Sequence, residues 1–308
     1  MPRRERLFAV LPTLLTLGNA ICGFGAITFA AKVGLEPYGL GRSPTECLWI
    51  AAVLVFLAMV FDMLDGRAAR WANQTSEFGA ELDSLCDAVS FGVAPAVMLI
   101  KFTAETHPPM FVARLLWVIA VLYVVCAILR LARFNVETDE EDTHEFFSGL
   151  PSPAAAGTVA SFMIALPELE SLAAESVENA NRLDRLIHDV ALVTLPALQF
   201  VLPVVALACA CLMVSTIRYS HVFNQWFRGR RSYRHILRLM LGLAIAVIFK
   251  ELAVPLVFAW FSFEAPVRAG WRALLPGRPL AAVTPEAAPS DENTPQPPPQ
   301  VPGSPLAS

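Results

Sequence analysis

Residues 61–95, FDMLDGRAARWANQTSEFGAELDSLCDAVSFGVAP, lie between two of the most apolar segments of the chain. This stretch contains four aspartates, and an acid at membrane depth is costly unless a neighbouring group compensates its charge. Acids in such a position therefore mark a candidate functional site. The four residues are Asp62, Asp65, Asp83 and Asp87.

The spacing of these acids predicts a helical hairpin. Asp62 and Asp65 are three residues apart, and Asp83 and Asp87 are four apart, so each pair shares one face of its own helix. Between the pairs, residues 72–75 (ANQT) interrupt the apolar pattern, and Ser76 is the predicted N-cap of the second helix. We therefore expect the four carboxylates to converge near the turn of this hairpin.

The composition places the chain in a membrane. Of its 308 residues, 56% are hydrophobic and only 16% are charged, and several apolar runs approach the length of about 20 residues that spans a bilayer. We predict an all-α fold, a polytopic transmembrane helix bundle. The predicted spans are residues 11–31, 47–70, 76–100, 113–133, 154–166, 190–217 and 236–261.

The first six spans are predicted to form a core, to which the C-terminal apolar run adds one or two further spans. That run contains Lys250, Glu251 and Pro255, so either one kinked helix or a hairpin of two short helices fits it. The last segment is rich in proline and poor in large apolar residues, which predicts disorder. The predicted parts are a cytoplasmic N-terminal segment (1–10), the transmembrane core (11–217), a basic cytoplasmic loop (218–235), the C-terminal span or spans (236–263) and the disordered tail (276–308).

Arginine and lysine residues orient the bundle. If the spans alternate in direction, one side of the membrane receives most of them, and an excess of basic residues is typical of the cytoplasmic side. The acid-bearing hairpin is therefore expected to open to the cytoplasm. The more basic side receives Arg3, Arg4, Arg6, Arg67, Arg70, Arg130, Arg133, Arg218, Arg228, Arg230, Arg231 and Arg234, and the other side receives Lys32, Arg42, Lys101, Arg114, Arg182 and Arg185.

A cluster of carboxylates favours a hard divalent cation. Mg²⁺ and Mn²⁺ prefer oxygen ligands and commonly complete their coordination with substrate phosphates. Four aspartates suffice for two such ions, which would clamp a pyrophosphate and leave one acid to take a proton from an attacking hydroxyl. The metal predicted for Asp62, Asp65, Asp83 and Asp87 is therefore Mn²⁺ or Mg²⁺, as two ions.

The residues between the acids sharpen this interpretation. Gly66, Ala69 and Gly79 leave room for a ligand beside the helix backbone, and Arg70 offers a guanidinium to a phosphate. The stretch resembles the signature of the CDP-alcohol phosphotransferase family, D-G-x2-A-R-x8-G-x3-D-x3-D. The signature positions are filled by Asp65, Gly66, Ala69, Arg70, Gly79, Asp83 and Asp87, and Asp62 matches the acid usually found three residues before them.

The resemblance implies roles for individual residues. The last acid of the signature, Asp87, would be the general base, activated either by a metal that acidifies the hydroxyl or by its own burial. The nucleotide would bind beside Asn19 in the first span, although close packing explains the small residues of that span equally well. The remaining nucleotide-side residues implied by the family are Gly66, Ala69, Arg70 and Gly79.

Sequence matches outside the signature favour one branch of the family. Residues 11–24 (LPTLLTLGNAICGF), 130–135 (RLARFN) and 146–157 (FFSGLPSPAAAG) resemble phosphatidylserine synthases, and the likeness covers residues 8–165. That branch transfers a phosphatidyl group from CDP-diacylglycerol to L-serine and releases CMP. The resemblance implies a bacterial-type cytoplasmic (inner) membrane enzyme that forms homodimers. Glycerol 3-phosphate, an inositol compound and choline are alternative acceptors, because the signature concerns only the shared CDP half.

The acceptor site is predicted at the end of the fourth span. Arg130, Arg133 and Asn135 lie at the level expected for the acids, and a basic side chain there suits the carboxylate of serine. Basic residues at a cytoplasmic helix end are equally typical of topology anchors.

Other functions account for less of the sequence. A divalent-cation transporter also places acids in membrane helices, but it does not require glycine, alanine and arginine at these intervals. A structural scaffold leaves the cost of four acids unexplained, and acids on a solvated surface turn do not suit such apolar flanks. The arginine- and aromatic-rich loop 218–238 favours anionic lipid headgroups over nucleic acid, so we expect membrane lipids and no nucleic acid as partners.

Overall fold

The computed structural model describes residues 3–34, 43–72, 77–104, 108–139, 147–175, 181–219 and 253–274. These residues are almost entirely helical, as predicted. The helices are α1 (Arg3–Ala31), α2 (Pro44–Ala72), α3 (Glu77–Asp87), a π-helical segment π1 (Ala88–Val93), α4 (Ala94–Ala104), α5 (Met110–Asp139), α6 (Ser152–Ala174), α7 (Arg182–Val214) and α8 (Ala253–Leu274). Two short strands, β1 (Phe147–Ser148) and β2 (Arg218–Tyr219), pair in antiparallel fashion.

The predicted all-α, polytopic membrane fold is confirmed. Within the described residues, five helical segments are long and apolar enough to cross a membrane, and α3, π1 and α4 together form one of them. The chain is therefore a multi-pass membrane protein. The five segments are Leu11–Ala31, Pro44–Ala68, Phe78–Ala104, Met110–Val136 and Arg182–Val214.

The fifth predicted span, 154–166, is shorter than the helix that contains it. Helix α6 has 23 residues, or about 34 Å at the usual rise per residue, because it continues through Pro167. Glu170 near its end is a good helix former, and its carboxylate accepts a 2.7 Å hydrogen bond from the Thr45 hydroxyl at the start of α2. Helix α6 is thus long enough to cross the bilayer beside the five more apolar segments.

Several sequence predictions lie partly outside the described residues. The predicted N-cap, Ser76, is one of them, and so are residues 220–252, which hold most of the basic loop and the start of the predicted C-terminal span. Helix α8 continues to Leu274, past the predicted boundary at residue 263. The predicted disordered tail, 276–308, also lies outside the described residues.

Hydrogen bonds between helix ends fit an alternating direction of successive spans. At the end of the bundle that carries the acids, Arg130 Nη1 donates to Ser152 Oγ at 3.0 Å, joining the end of α5 to the start of α6. At the other end, Lys101 Nζ donates to the Val33 carbonyl at 3.0 Å, joining α4 to the end of α1. This alternation is the arrangement on which the predicted topology rests.

The turn before α6 requires glycine. Gly149 has φ +84°, and a Cβ at this position would lie 2.5 Å from the Met213 carbonyl oxygen. Its backbone nitrogen donates to the Ile217 carbonyl at 2.9 Å, and Leu150 N donates to the Leu212 carbonyl at 3.0 Å. The glycine thus lets the chain run against the end of α7 and fixes where α6 begins.

Helix α8 packs against α2 and α6 through a close contact at a second glycine. A Cβ on Gly157 would lie 2.3 Å from Phe258 Cε1, and the Phe258 ring meets Phe56 edge to face with 5.3 Å between centroids. Next to this contact, the hydroxyls of Thr158 and Ser262 are 2.6 Å apart and fully buried. The C-terminal helix is therefore an integrated part of the bundle in residues 253–269.

This packing predicts that Gly157→Ala destabilises the protein, because the added methyl group overlaps the Phe258 ring. We expect a loss of about 1–3 kcal/mol, typical of overpacking, seen as a lower Tm in detergent. Gly92→Ala is the matched control, since its Cβ would meet only Ala127 Cβ at 3.5 Å. Phe258→Leu in the Gly157→Ala background should recover part of the loss, whereas an unchanged Tm for Gly157→Ala would contradict the docking of α8.

Candidate functional site

The four aspartates of the hairpin come together in the structure. Helix α2 carries Asp62 and Asp65, and α3 carries Asp83 and Asp87. Carboxylate oxygens of Asp62, Asp83 and Asp87 lie within 4.8 Å of one another. Asp65, which follows Asp62 by three residues in α2, lies close to Asp83. Acids from both arms of the hairpin thus form one cluster, which we call the acid cluster.

Burial makes the acid cluster electrostatically costly. Asp65 is 4% exposed and Asp87 is 7% exposed, while Asp62 and Asp83 are half-buried. In the described part of the chain, Asp65 Oδ2 and Asp83 Oδ1 are buried without a hydrogen-bond partner. Several buried like charges with unpaired oxygens are unfavourable without compensation by cations or protons.

The donor set of the acid cluster fits a divalent cation. The ligand atoms are carboxylate oxygens from several aspartates, close enough together for one ion to contact more than one of them. Hard cations such as Mg²⁺ and Mn²⁺ are held by oxygen ligands of this kind. The unpaired buried oxygens of Asp65 and Asp83 are available for such an ion.

Helix α1 contributes two polar side chains to the acid cluster. Asn19 is fully buried, and its Nδ2 donates a 2.8 Å hydrogen bond to Asp87 Oδ1. The Thr16 hydroxyl lies near Asp65, and it donates to the Pro12 carbonyl of its own helix at 3.1 Å. Asn19 is among the residues predicted for the site, and Thr16 is not. The signal was present in the sequence, because residues three apart in a helix share a face.

A change in helical geometry follows Asp87 immediately. The chain passes from α3 into π1, and π-helical segments occur frequently at functional sites. Ser90 in π1 donates through Oγ to the Asn19 carbonyl at 3.0 Å. A Cβ on Gly23 would lie only 2.3 Å from Ser90 Oγ, so this glycine is explained by close packing of α1 against π1.

The signature residues between the acids are placed as follows. Gly66 is exposed, and a Cβ added to it would meet no heavy atom of the described residues within 4 Å, so among these residues α2 borders open space beside Asp65. Gly79 is half-buried in α3. Ala69 and Arg70 lie in α2, but their side chains are outside the described part of the structure. The open space at Gly66 leaves room for a ligand next to the acid cluster.

Of the three predicted acceptor residues, the structure brings Arg130 and Asn135 to the acid hairpin. Arg130 is half-buried, interacts electrostatically with Asp62 and Asp87, and is held by its hydrogen bond to Ser152 Oγ. Its guanidinium carbon also lies 5.8 Å from the centroid of the Phe134 ring. These contacts hold a positive charge near the acid cluster.

Asn135 and Arg133 differ in their surroundings. The Asn135 amide exchanges hydrogen bonds with the Ser84 hydroxyl at 3.0 and 3.2 Å, which ties α5 to α3 next to Asp83. Arg133, by contrast, has an exposed side chain. Residues three apart are rotated by roughly 60° around a helix, so Arg133 can be more exposed than Arg130 although the two share a face.

Comparison with known proteins agrees with this geometry. Residues 9–194 match the profile of the family described as CDP-alcohol phosphatidyltransferase. Proteins named CDP-diacylglycerol–serine O-phosphatidyltransferase are similar to this chain in several bacteria. The protein of Mycobacterium leprae is 40% identical over 161 residues, which is 51% of this chain and 47% of the relative. The protein of Helicobacter pylori J99 is 41% identical over 147 residues, 48% of this chain and 54% of the relative.

A third relative is covered over more of its length. The CDP-diacylglycerol–serine O-phosphatidyltransferase of Bacillus subtilis is 35% identical over 145 residues, which is 47% of this chain and 70% of the relative. The chain spans about half the length of the mycobacterial relatives it matches. The profile match covers well over half of the chain and includes the acid cluster. This chain belongs to the CDP-alcohol phosphatidyltransferase family.

Proposed function

We propose that this protein transfers a phosphatidyl group from CDP-diacylglycerol to L-serine, giving phosphatidylserine and CMP, in phospholipid biosynthesis. The observation that carries the proposal is the convergence of carboxylates from both arms of the hairpin, in the family signature, next to Arg130. The names of the bacterial relatives support CDP-diacylglycerol as donor and serine as acceptor.

The family is generally dependent on divalent metal, and the acid cluster supplies the ligands for it. We assign Asp62, Asp65, Asp83 and Asp87 to two ions, Mn²⁺ or Mg²⁺. When bound, these ions would neutralise the pyrophosphate of the nucleotide and the charge that develops on the departing CMP. The protein's own part is to hold its oxygens in place before substrate arrives, which the bonds from α1 and α5 support.

The nucleotide is assigned to the wall formed by the small residues of the signature. Gly66 borders open space, and Gly79 lies on the facing helix of the hairpin. Ala69 leaves room and Arg70 supplies a guanidinium for phosphate, in the roles that the family signature gives them. Both acyl chains of the lipid would remain in the bilayer.

Asp87 is assigned as the general base. The serine hydroxyl oxygen forms a bond to the phosphorus on the diacylglycerol side, and the bond from that phosphorus to the bridging oxygen breaks. CMP leaves with that oxygen, and Asp87 accepts the hydroxyl proton. The buried setting of Asp87 supports this role, because a carboxylate shielded from water is a better proton acceptor than a solvated one.

The acceptor's carboxylate is assigned to Arg130. Its position beside Asp62 and Asp87 would bring the serine hydroxyl close to the proposed base. Asn135 holds Ser84 next to Asp83 and borders the same space, and Arg133 extends the positive charge toward the helix surface.

The proposal also includes the orientation of the protein in its membrane and its oligomeric state. The basic residues of the sequence favour an acid cluster that faces the cytoplasm across a bacterial-type inner membrane. Homodimers through membrane helices are expected from the family resemblance.

The proposal is tested by measuring CMP release from purified protein in detergent with CDP-diacylglycerol and Mn²⁺ or Mg²⁺. L-serine should support CMP release in a panel that also contains glycerol 3-phosphate, an inositol compound and choline. Asp87→Asn should abolish turnover while nucleotide binding partly survives, because the substituted side chain accepts no proton. Asp189→Asn, an exposed acid in α7, is the matched control and should remain active.

Each outcome of this experiment has a clear meaning. Release with another alcohol in place of serine would keep the reaction class and overturn the acceptor. Turnover that survives Asp87→Asn would remove Asp87 from the role of base. If the protein carries Mn²⁺ into vesicles and releases no CMP, that result would support the alternative function, a divalent-cation transporter.

Arg130→Gln should raise the KM for serine about tenfold or more, because it removes the proposed partner of the acceptor carboxylate. The KM for CDP-diacylglycerol should change much less. Arg114→Gln, in the same helix at the other end of the bundle, is the control and should leave both values unchanged. An unchanged serine KM in the Arg130 variant would place the acceptor pocket elsewhere.

A further inference from the structure

Asn19 is a polar residue at a buried position, where apolar side chains are usual. It is fully buried in α1, and its amide oxygen has no hydrogen-bond partner in the described part of the chain. Burying an amide with one unpaired atom is unfavourable. A leucine of similar size would avoid this cost, so packing alone does not account for the amide.

The contact that the amide does make is with an acid of the cluster. Asn19 Nδ2 lies 2.8 Å from Asp87 Oδ1. A carboxylate oxygen accepts hydrogen bonds, so the nitrogen rather than the oxygen of the amide must face it. This bond restricts rotation of the Asp87 carboxyl group and leaves its second oxygen for other partners.

Helix α1 is itself fixed at this point. The Ser90 hydroxyl donates to the Asn19 carbonyl at 3.0 Å, and Gly23, one turn further along, lets α1 approach the Ser90 backbone closely. Ser90 follows Asp87 by three residues within π1. These contacts hold the Asn19 backbone against residues 87–90. They thereby fix the distance between the Asn19 amide and the Asp87 carboxylate.

We propose that Asn19 is a positioning residue for Asp87, rather than a nucleotide contact alone. Its amide nitrogen orients the carboxyl group so that one oxygen is held and the other faces the space shared with Asp62 and Asp83. This inference rests on the proposed function, in which Asp87 takes the hydroxyl proton. Asn19 acts through Asp87, and it touches the proposed reacting atoms only indirectly.

The test separates positioning from nucleotide binding. Asn19→Leu removes the donor and keeps the volume, and Asn19→Ala is a second variant in case the leucine perturbs folding. With both, kcat for CMP release should fall at least tenfold, while the KM for CDP-diacylglycerol stays within about twofold. Mn²⁺ affinity, measured by electron paramagnetic resonance on protein without substrate, should change less than threefold, because all four aspartates remain.

Two further variants complete the experiment. Ser90→Ala, which loses only the bond to the Asn19 backbone, should lower kcat by a smaller factor. Thr28→Val is the matched control in α1, since its hydroxyl is exposed and bonds only to the Phe24 carbonyl of its own helix. It should leave kcat, KM and Mn²⁺ affinity unchanged.

The outcomes that overturn the inference differ from those that overturn the proposed function. If Asn19→Leu and Asn19→Ala raise the KM for CDP-diacylglycerol and leave kcat intact, Asn19 is a nucleotide contact and not a positioning residue. Wild-type kcat in both variants also overturns the inference while the proposed function stands. A wild-type protein that releases no CMP with any alcohol overturns the proposed function, and the inference with it.

Discussion

The structure depends on how a membrane protein accommodates several carboxylates in one buried place. Charges of the same sign repel strongly where water is scarce, and each one loses hydration when it is buried. In this chain the acids are brought together by a helical hairpin and surrounded by side chains that offset part of the cost. Asn19 and Thr16 reach them from α1, and Arg130 reaches them from α5. The oxygens that remain unpaired are the ones open to a cation.

The rest of the bundle holds these supporting side chains in register. Ser152 at the start of α6 binds Arg130, and the turn at Gly149 fixes α6 against the end of α7. Ser84 and Asn135 join α3 to α5 beside Asp83. Helix α8 then packs on α2 and α6 through Phe258, outside the region that matches the family profile. The site is thus supported by helices from most of the chain, although its acids come from one short stretch.

The sequence predicted what depends on local spacing. The intervals between the aspartates indicated a hairpin, and the apolar runs indicated a membrane bundle, because both follow from helical periodicity. The bond between Asn19 and Asp87 joins residues 68 positions apart, so no local pattern reveals it. The π-helix after Asp87 and the length of α6 beyond Pro167 also depend on packing against other helices. Tertiary contacts of this kind, such as the bond from Arg130 to Ser152, cannot be read from local spacing.

The central claim is that carboxylates from both arms of the hairpin bind the same divalent ions. It is tested most directly by determining an experimental structure with Mn²⁺ and recording anomalous scattering from the metal. The account predicts Mn²⁺ peaks about 2 Å from carboxylate oxygens of α2 and α3 together. Peaks that contact one helix alone, or Mn²⁺ bound only elsewhere, would contradict it.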